Sequence, residues 1–224
     1  MQPDPLTTPI GELAAAQPSA TRVFLRHRID FCCGGQRSLA EACERAGLNP
    51  AEVVEELTRE ATRADAGPHW DQRPLAELVE HIERHYHAAH RRDLPPLIDA
   101  ARRVERVHAD KPAVPAGLAD ALIEFFGEMQ DHMAKEEQIL FPMLRRGLRG
   151  AAVAMPVEVM QHEHDAHGQN LARIRALTGD LVTPPHACAT WTALYDGLRH
   201  VEAELMRHIN LENHVLFPRA VAGQ

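Results

Sequence analysis

The chain has 224 residues and a net charge of −8, with 45% hydrophobic, 25% charged and only 4% aromatic residues. No apolar run approaches the roughly 20 residues that a bilayer-spanning helix needs. The acidic balance excludes a nucleic-acid partner, which would call for a basic face. The opening Met1-Gln2-Pro3-Asp4-Pro5 lacks the basic-then-apolar order of a secretory leader, so a cytoplasmic chain is expected.

Residues 1–66 read as short helices. Thr8-Pro9 pairs a capping residue with a first-turn proline, opening a helix that ends near Gln17-Pro18. Ser19 is placed to cap a second helix carrying Val23, Phe24 and Leu25. Two glycines break the helical pattern in Asp30-Phe31-Cys32-Cys33-Gly34-Gly35. Ser38 then caps Leu39–Ala46, and Gly47 stands where a left-handed helix stop belongs. Asn49-Pro50 opens the next helix, with Val53, Val54 and Leu57 at helical spacing. Such a segment buries only a modest core.

Thirteen of the 15 histidines follow residue 80, a composition shift that marks a boundary near Ala66-Gly67-Pro68. From Pro74 onward four longer helices are predicted, with proline-marked joins. The first runs from Leu75 toward Val107, with a kink or fresh start at Pro95-Pro96, and the second spans about Leu118–Leu148. The third starts after Met155-Pro156 and fades at Thr178-Gly179. Thr183-Pro184-Pro185 introduces the fourth, which ends near Phe217-Pro218. No stretch alternates like a strand. The expected class is all-α: a small N-terminal helical domain over 1–66 and an antiparallel four-helix bundle over 74–224.

The bundle repeats itself. His132-Met-Ala-Lys-Glu136 and His208-Ile-Asn-Leu-Glu212 both continue to Leu-Phe-Pro as HxxxExxxLFP, 76 residues apart. His85-Tyr-His87-Ala-Ala-His90 and His162-Glu-His164-Asp-Ala-His167 both read HxHxxH, 77 residues apart. Residues i and i+4 share a helix face, so His132 with Glu136 and His208 with Glu212 can aim at one interior point. Glu137 lies off that face. One HxxxE alone is usually a solvated face, and LFP alone means core contact and a helix stop. Duplicated packing, however, does not require a duplicated His-Glu pair. Imidazoles with carboxylates suit iron or manganese, and bundle cores host such metal pairs.

Within each triplet, His85 and His87 point about 160° apart, whereas His87 and His90 lie about 60° apart and can share a face. Spacing therefore leaves the middle or the last member as ligand. His81 and His108 have no repeat partner and read as surface or capping residues. The adjacent thiols Cys32 and Cys33, followed by glycines that leave them accessible, are candidates for reaction or metal transfer; the alternative is two small hydrophobes at a turn. Cys43 and Cys188 read as structural.

With these motifs, the Asp30–Gly35 segment and Val104-Glu-Arg-Val-His108-Ala-Asp-Lys-Pro112, the chain resembles the iron–sulfur cluster repair di-iron proteins of the RIC or YtfE/ScdA type, which carry a hemerythrin-like domain. The resemblance implies two iron ions, joined by an oxo or hydroxo bridge. It implies His87, His132, His164 and His208 as histidine ligands, Glu136 and Glu212 as bridging carboxylates, and thus the middle histidine of each triplet. Glu128 and Glu163 become candidates for carboxylates that orient or supplement the ligands. The implied role is repair of iron–sulfur clusters damaged by nitrosative or oxidative stress, by donating iron, in a homodimer whose partners are damaged or apo iron–sulfur proteins. Nitric oxide or dioxygen are the implied small ligands, and the alternative roles are a nitric oxide reductase or a sensor of either gas.

Overall fold

Ser38 and Asn49 cap the helices they precede. The Ser38 hydroxyl accepts from the Glu41 N–H and the Glu41 carboxylate accepts in return from the Ser38 N–H, a reciprocal capping box. That box opens α3 (Leu39–Ala46), which stops at Gly47 with φ 66°. Asn49 accepts from the Ala51 N–H and Pro50 takes the first position of α4 (Pro50–Ala61). The two earlier helices, α1 (Ile10–Ala16) and α2 (Ala20–Arg26), form without the side-chain caps expected of Thr8 and Ser19. The Thr8 hydroxyl donates back to the Asp4 carbonyl, and the Ser19 hydroxyl accepts from Gln17.

The computed structural model describes residues 4–62 and 68–223; Ala66 and Gly67, at the expected boundary, lie outside them. No strand occurs among the described residues. The chain falls into two compact units, one formed by residues 1–79, 148–153 and 206–224, the other by 80–147 and 154–205.

The first unit closes over Ile10, Val23, Phe24, Phe31, Leu39 and Val53, all buried. The Phe24 and Phe31 rings meet at 5.8 Å, and burial of each contributes roughly 1.5–3 kcal/mol. Arg22 and Arg26 of α2 both reach Glu60 of α4, which fastens these helices side by side.

Further along the chain α5 (Leu75–His81) leads through a π-helical turn, Ile82–His87, into α6 (Ala88–Val107). There follow α7 (Leu118–Lys135), a π-turn at Glu136–Leu140, α8 (Phe141–Arg145) and α9 (Ala151–Leu177). The last stretch is α10 (Ala189–Leu211), a π-turn at Glu212–Leu216, and α11 (Phe217–Ala222). Leu94, Leu122, Leu171 and Leu198, one from each of α6, α7, α9 and α10, converge on a small internal cavity. There Arg175 grips the Glu202 carboxylate with two nitrogens, both at 2.6 Å.

Three proline expectations are corrected. α6 runs through Pro95 and Pro96 as one helix rather than starting afresh there, because Leu94, Ile98, Ala101 and Val104 bury a continuous face whose packing outweighs the local cost of about 3 kcal/mol per proline. α9 begins at Ala151 rather than after Pro156, with Val153 and Val157 buried on either side of the proline. The last helix continues past Pro218 to Ala222.

Candidate metal centre

The π-turns sit where the candidate ligands are. Glu136 and Glu212 each open one, and His87 closes a third. In both HxxxExxxLFP copies the proline follows two residues after the turn ends. Proline lacks an N–H and crowds the carbonyl four residues back, and a widened turn just before it accommodates both defects without ending the helix. The motif thus carries its own local distortion, at the residues where a helix must present a carboxylate inward.

In the second unit four of the candidate donors come together. His87, His132, Glu136 and His164 are 0–3% exposed. The Nε2 atoms of His87 and His132 lie 3.3 and 3.5 Å from the same oxygen, Glu136 Oε2. His164 Nε2 stands 3.2 Å from His132 Nε2. Ligands bound at about 2.1 Å stand about 3.0–3.4 Å from one another at right-angled to tetrahedral spacing, so these edges match those around a cation. The remaining two candidates meet in the first unit: His208 Nε2 lies 3.1 Å from Glu212 Oε1, both side chains buried.

The opposite ring nitrogens fix the tautomers. His87 Nδ1 is 2.8 Å from Glu137 Oε1, and His132 Nδ1 is 2.9 Å from Glu163 Oε2. A carboxylate only accepts, so each Nδ1 carries a proton, which leaves each Nε2, beside Glu136, as the nitrogen available to a cation. Two ring nitrogens beside a buried carboxylate oxygen form a donor set that suits a cation, and a carboxylate behind each histidine is the usual support of a metal-bound imidazole. Glu163 is held down at about 2, first by the His132 hydrogen bond and then by Lys135. At Glu137 burial pushes upward, but hydrogen bonds from Arg91 and His87 outweigh it and its carboxyl sits below the ordinary range.

Glu137, which the sequence reading placed off the histidine face and gave no role, reaches His87 from behind. Glu163, a candidate for its place beside His164 in the sequence, lies instead against His132. Glu128 is exposed and accepts from Asn170. Neither supporting carboxylate belongs to the repeat. The position matching Glu137 in the second copy is Asn213, and the position matching Glu163 in the first is Tyr86. The one signal for Glu137 was its adjacency to Glu136.

Within the triplets, His85 and His162 face outward, and His85 lies 3.4 Å from Glu204. The last members are buried with the middle ones: His90 stacks on Tyr86, and His167 packs edge-on to Phe125 and to His132. His108 caps α6, with Nε2 3.2 Å from the sulfur of Cys188, an exposed residue rather than a core one.

The cysteine pair lies in the first unit, after α2. Cys32 is buried and Cys33 half-buried, so the sulfurs are less accessible than the following glycines suggested. Contact with the Cys33 sulfur, burial and the nearby Asp30 carboxylate push the Cys32 thiol well above its usual range.

Residues 78–220 match the Hemerythrin HHE cation binding domain, and residues 6–61 match ScdA_N, described as a Domain of Unknown function (DUF542). The chain is 46% identical over 216 residues to the iron-sulfur cluster repair protein YtfE of Escherichia coli O157:H7, covering 96% of this chain and 97% of that protein. The YtfE proteins of Cronobacter sakazakii and Citrobacter koseri match with the same identity and coverage. An all-α chain with buried imidazoles around an inward carboxylate, matched by these relatives along nearly its whole length, belongs to the YtfE family, built on a hemerythrin-type cation-binding domain.

Proposed function

We propose that this protein holds two iron ions and uses them to repair iron–sulfur clusters damaged by nitric oxide or oxidants. The ligands proposed for them are His87, His132, His164 and His208, with Glu136 and Glu212 as the carboxylates. The observation that carries the reading is the convergence of His87 and His132 on one oxygen of Glu136. A donor set of imidazole and carboxylate without thiolate suits iron, and it supplies exchangeable, redox-capable metal. The chain's own residues do the rest. Glu137 and Glu163 hold the imidazoles in the ligating tautomer, and the sealed helix interior excludes bulk water from Glu136.

Iron is the cargo in this reading, delivered to apo or damaged iron–sulfur proteins, with Cys32 and Cys33 taking part in the transfer. The helical segment over 1–66 carries the thiols, and 74–224 carries the metal. The cytoplasmic setting and the homodimer follow from the family reading.

The test is to mix protein loaded with iron under anaerobic conditions with an apo iron–sulfur protein. Stoichiometric movement of iron into the acceptor supports donation. Sustained turnover of nitric oxide to nitrous oxide with the iron retained would instead make the chain a nitric oxide reductase and contradict donation.

A further inference from the structure

Outside the histidine–glutamate centre, a second set of donors gathers on the loop after α2. The Asp30 side chain folds over this loop: its Oδ1 accepts from the N–H of Cys32 at 3.2 Å and of Cys33 at 3.1 Å. The same oxygen lies 3.2 Å from the Cys32 sulfur, and the two sulfurs are 3.6 Å apart. Two thiolates bound at about 2.3 Å on a tetrahedral ion stand about 3.7 Å from one another. The sulfur pair is thus spaced as one edge of such an ion's coordination shell, and Asp30 offers the third corner.

The loop is also held from outside. Asn210 donates both to the Gly11 carbonyl and to the Phe31 carbonyl at 3.1 Å. The half-buried ring of His214 hydrogen-bonds to the backbone of Cys32. That ring lies in a cradle that only glycine permits: a Cβ on Gly11 would stand 2.1 Å from His214 Nε2, and one on Gly35 would stand 2.3 Å from it. Asn210 and His214 alternate with His208 and Glu212, so the segment that carries two proposed iron ligands also fastens the cysteine loop.

We propose that Asp30, Cys32 and Cys33 form a separate site for a single ferrous ion, with one coordination position left for an incoming ligand. Binding breaks two S–H bonds, releases both protons to solvent, forms two iron–sulfur bonds and one iron–oxygen bond, and changes no oxidation state. An incomplete shell of two thiolates and one carboxylate holds an ion less permanently than four thiolates do, which suits a station in transfer. This assignment deepens the iron-donation reading and rests on it for its cellular meaning, although the site itself does not depend on the histidine centre.

The probe is cadmium(II), added to phosphine-reduced full-length protein whose histidine centre already holds iron. One further equivalent per chain is expected, with the near-ultraviolet sulfur-to-cadmium absorption of two thiolates. Cys33→Ser should remove about half of that absorption. Asp30→Asn keeps the oxygen that caps the loop but loses the charge. It should weaken binding at least tenfold, about the lower end of what even an outer carboxylate contributes. Glu136→Gln, which strikes the other centre, should leave the absorption intact, so failure of one centre is read apart from failure of the other. Absence of the absorption in the parent protein, or its full retention in Cys33→Ser, overturns the proposal.

Discussion

Glu137 Oε1 lies 2.8 Å from His87 Nδ1 and accepts a hydrogen bond from it, while Arg91 donates to both oxygens of the same carboxylate. Two residues adjacent in sequence thus serve one imidazole, Glu136 facing its Nε2 and Glu137 its Nδ1. On the neighbouring helices Glu163, fastened by Lys135, does the same for His132.

Removing these outer carboxylates should loosen the metal without deleting a donor. Glu137→Ala and Glu163→Ala are each expected to lower metal affinity about 10- to 100-fold, measured by competition with a chelator. Glu128→Ala should leave affinity unchanged, because that carboxylate points to solvent and meets Asn170.

The histidine triplets separate ligand from core. His85→Ala should keep full metal content and His87→Ala should not, since His85 is exposed and His87 fully buried. His90→Ala should retain metal and lower the melting temperature, because its ring is packed against Tyr86 inside the helix bundle. Elemental analysis alongside thermal unfolding distinguishes these outcomes. Loss of metal in His90→Ala with retention in His87→Ala would move the ligand to the last member of the triplet.

Acid should destabilise the metal-free protein through its ion-paired carboxylates. Glu163 titrates at about 2 in the folded chain against an ordinary 4.5. Its contribution is therefore complete above pH 4.5 and disappears as the pH falls through about 2. Glu137, also lowered, acts with the same sign. Urea midpoints measured across this range on metal-free protein should fall, and Glu163→Gln should flatten part of that fall.

The glycine cradle makes a further prediction. Gly11→Ala puts a methyl group into the His214 ring and should cost about 1–3 kcal/mol, the usual penalty of overpacking. Combining it with His214→Ala should recover much of that loss, giving a non-additive double-mutant cycle. Additive losses would show that the ring and the glycine are not in contact.

The repeat was legible because both copies carry the same His-Glu pair, which duplicated packing alone does not require. The supporting carboxylates were hidden for the converse reason: Glu137 and Glu163 occupy positions where the copies differ. The π-turns were hidden too, since a 3.6-residue pattern shows apolar faces but not a one-residue expansion. Proline after Leu-Phe in both copies was their trace, read instead as a helix stop. Pro95, Pro96 and Pro156 misled in the same direction, because the buried faces beside them decide the helix and local propensity does not. At the N-terminal end, Ser38 and Asn49 cap the helices they precede, while Thr8 and Ser19 bond instead to the nearby Asp4 and Gln17.

Iron content and Mössbauer spectra of Glu136→Ala, purified without oxygen beside the parent protein, test the account most directly. Because His87 and His132 converge on one Glu136 oxygen, the parent should carry two irons per chain and the variant should lose both together. Two irons retained in Glu136→Ala, with unchanged spectra, would contradict a centre built on that shared carboxylate.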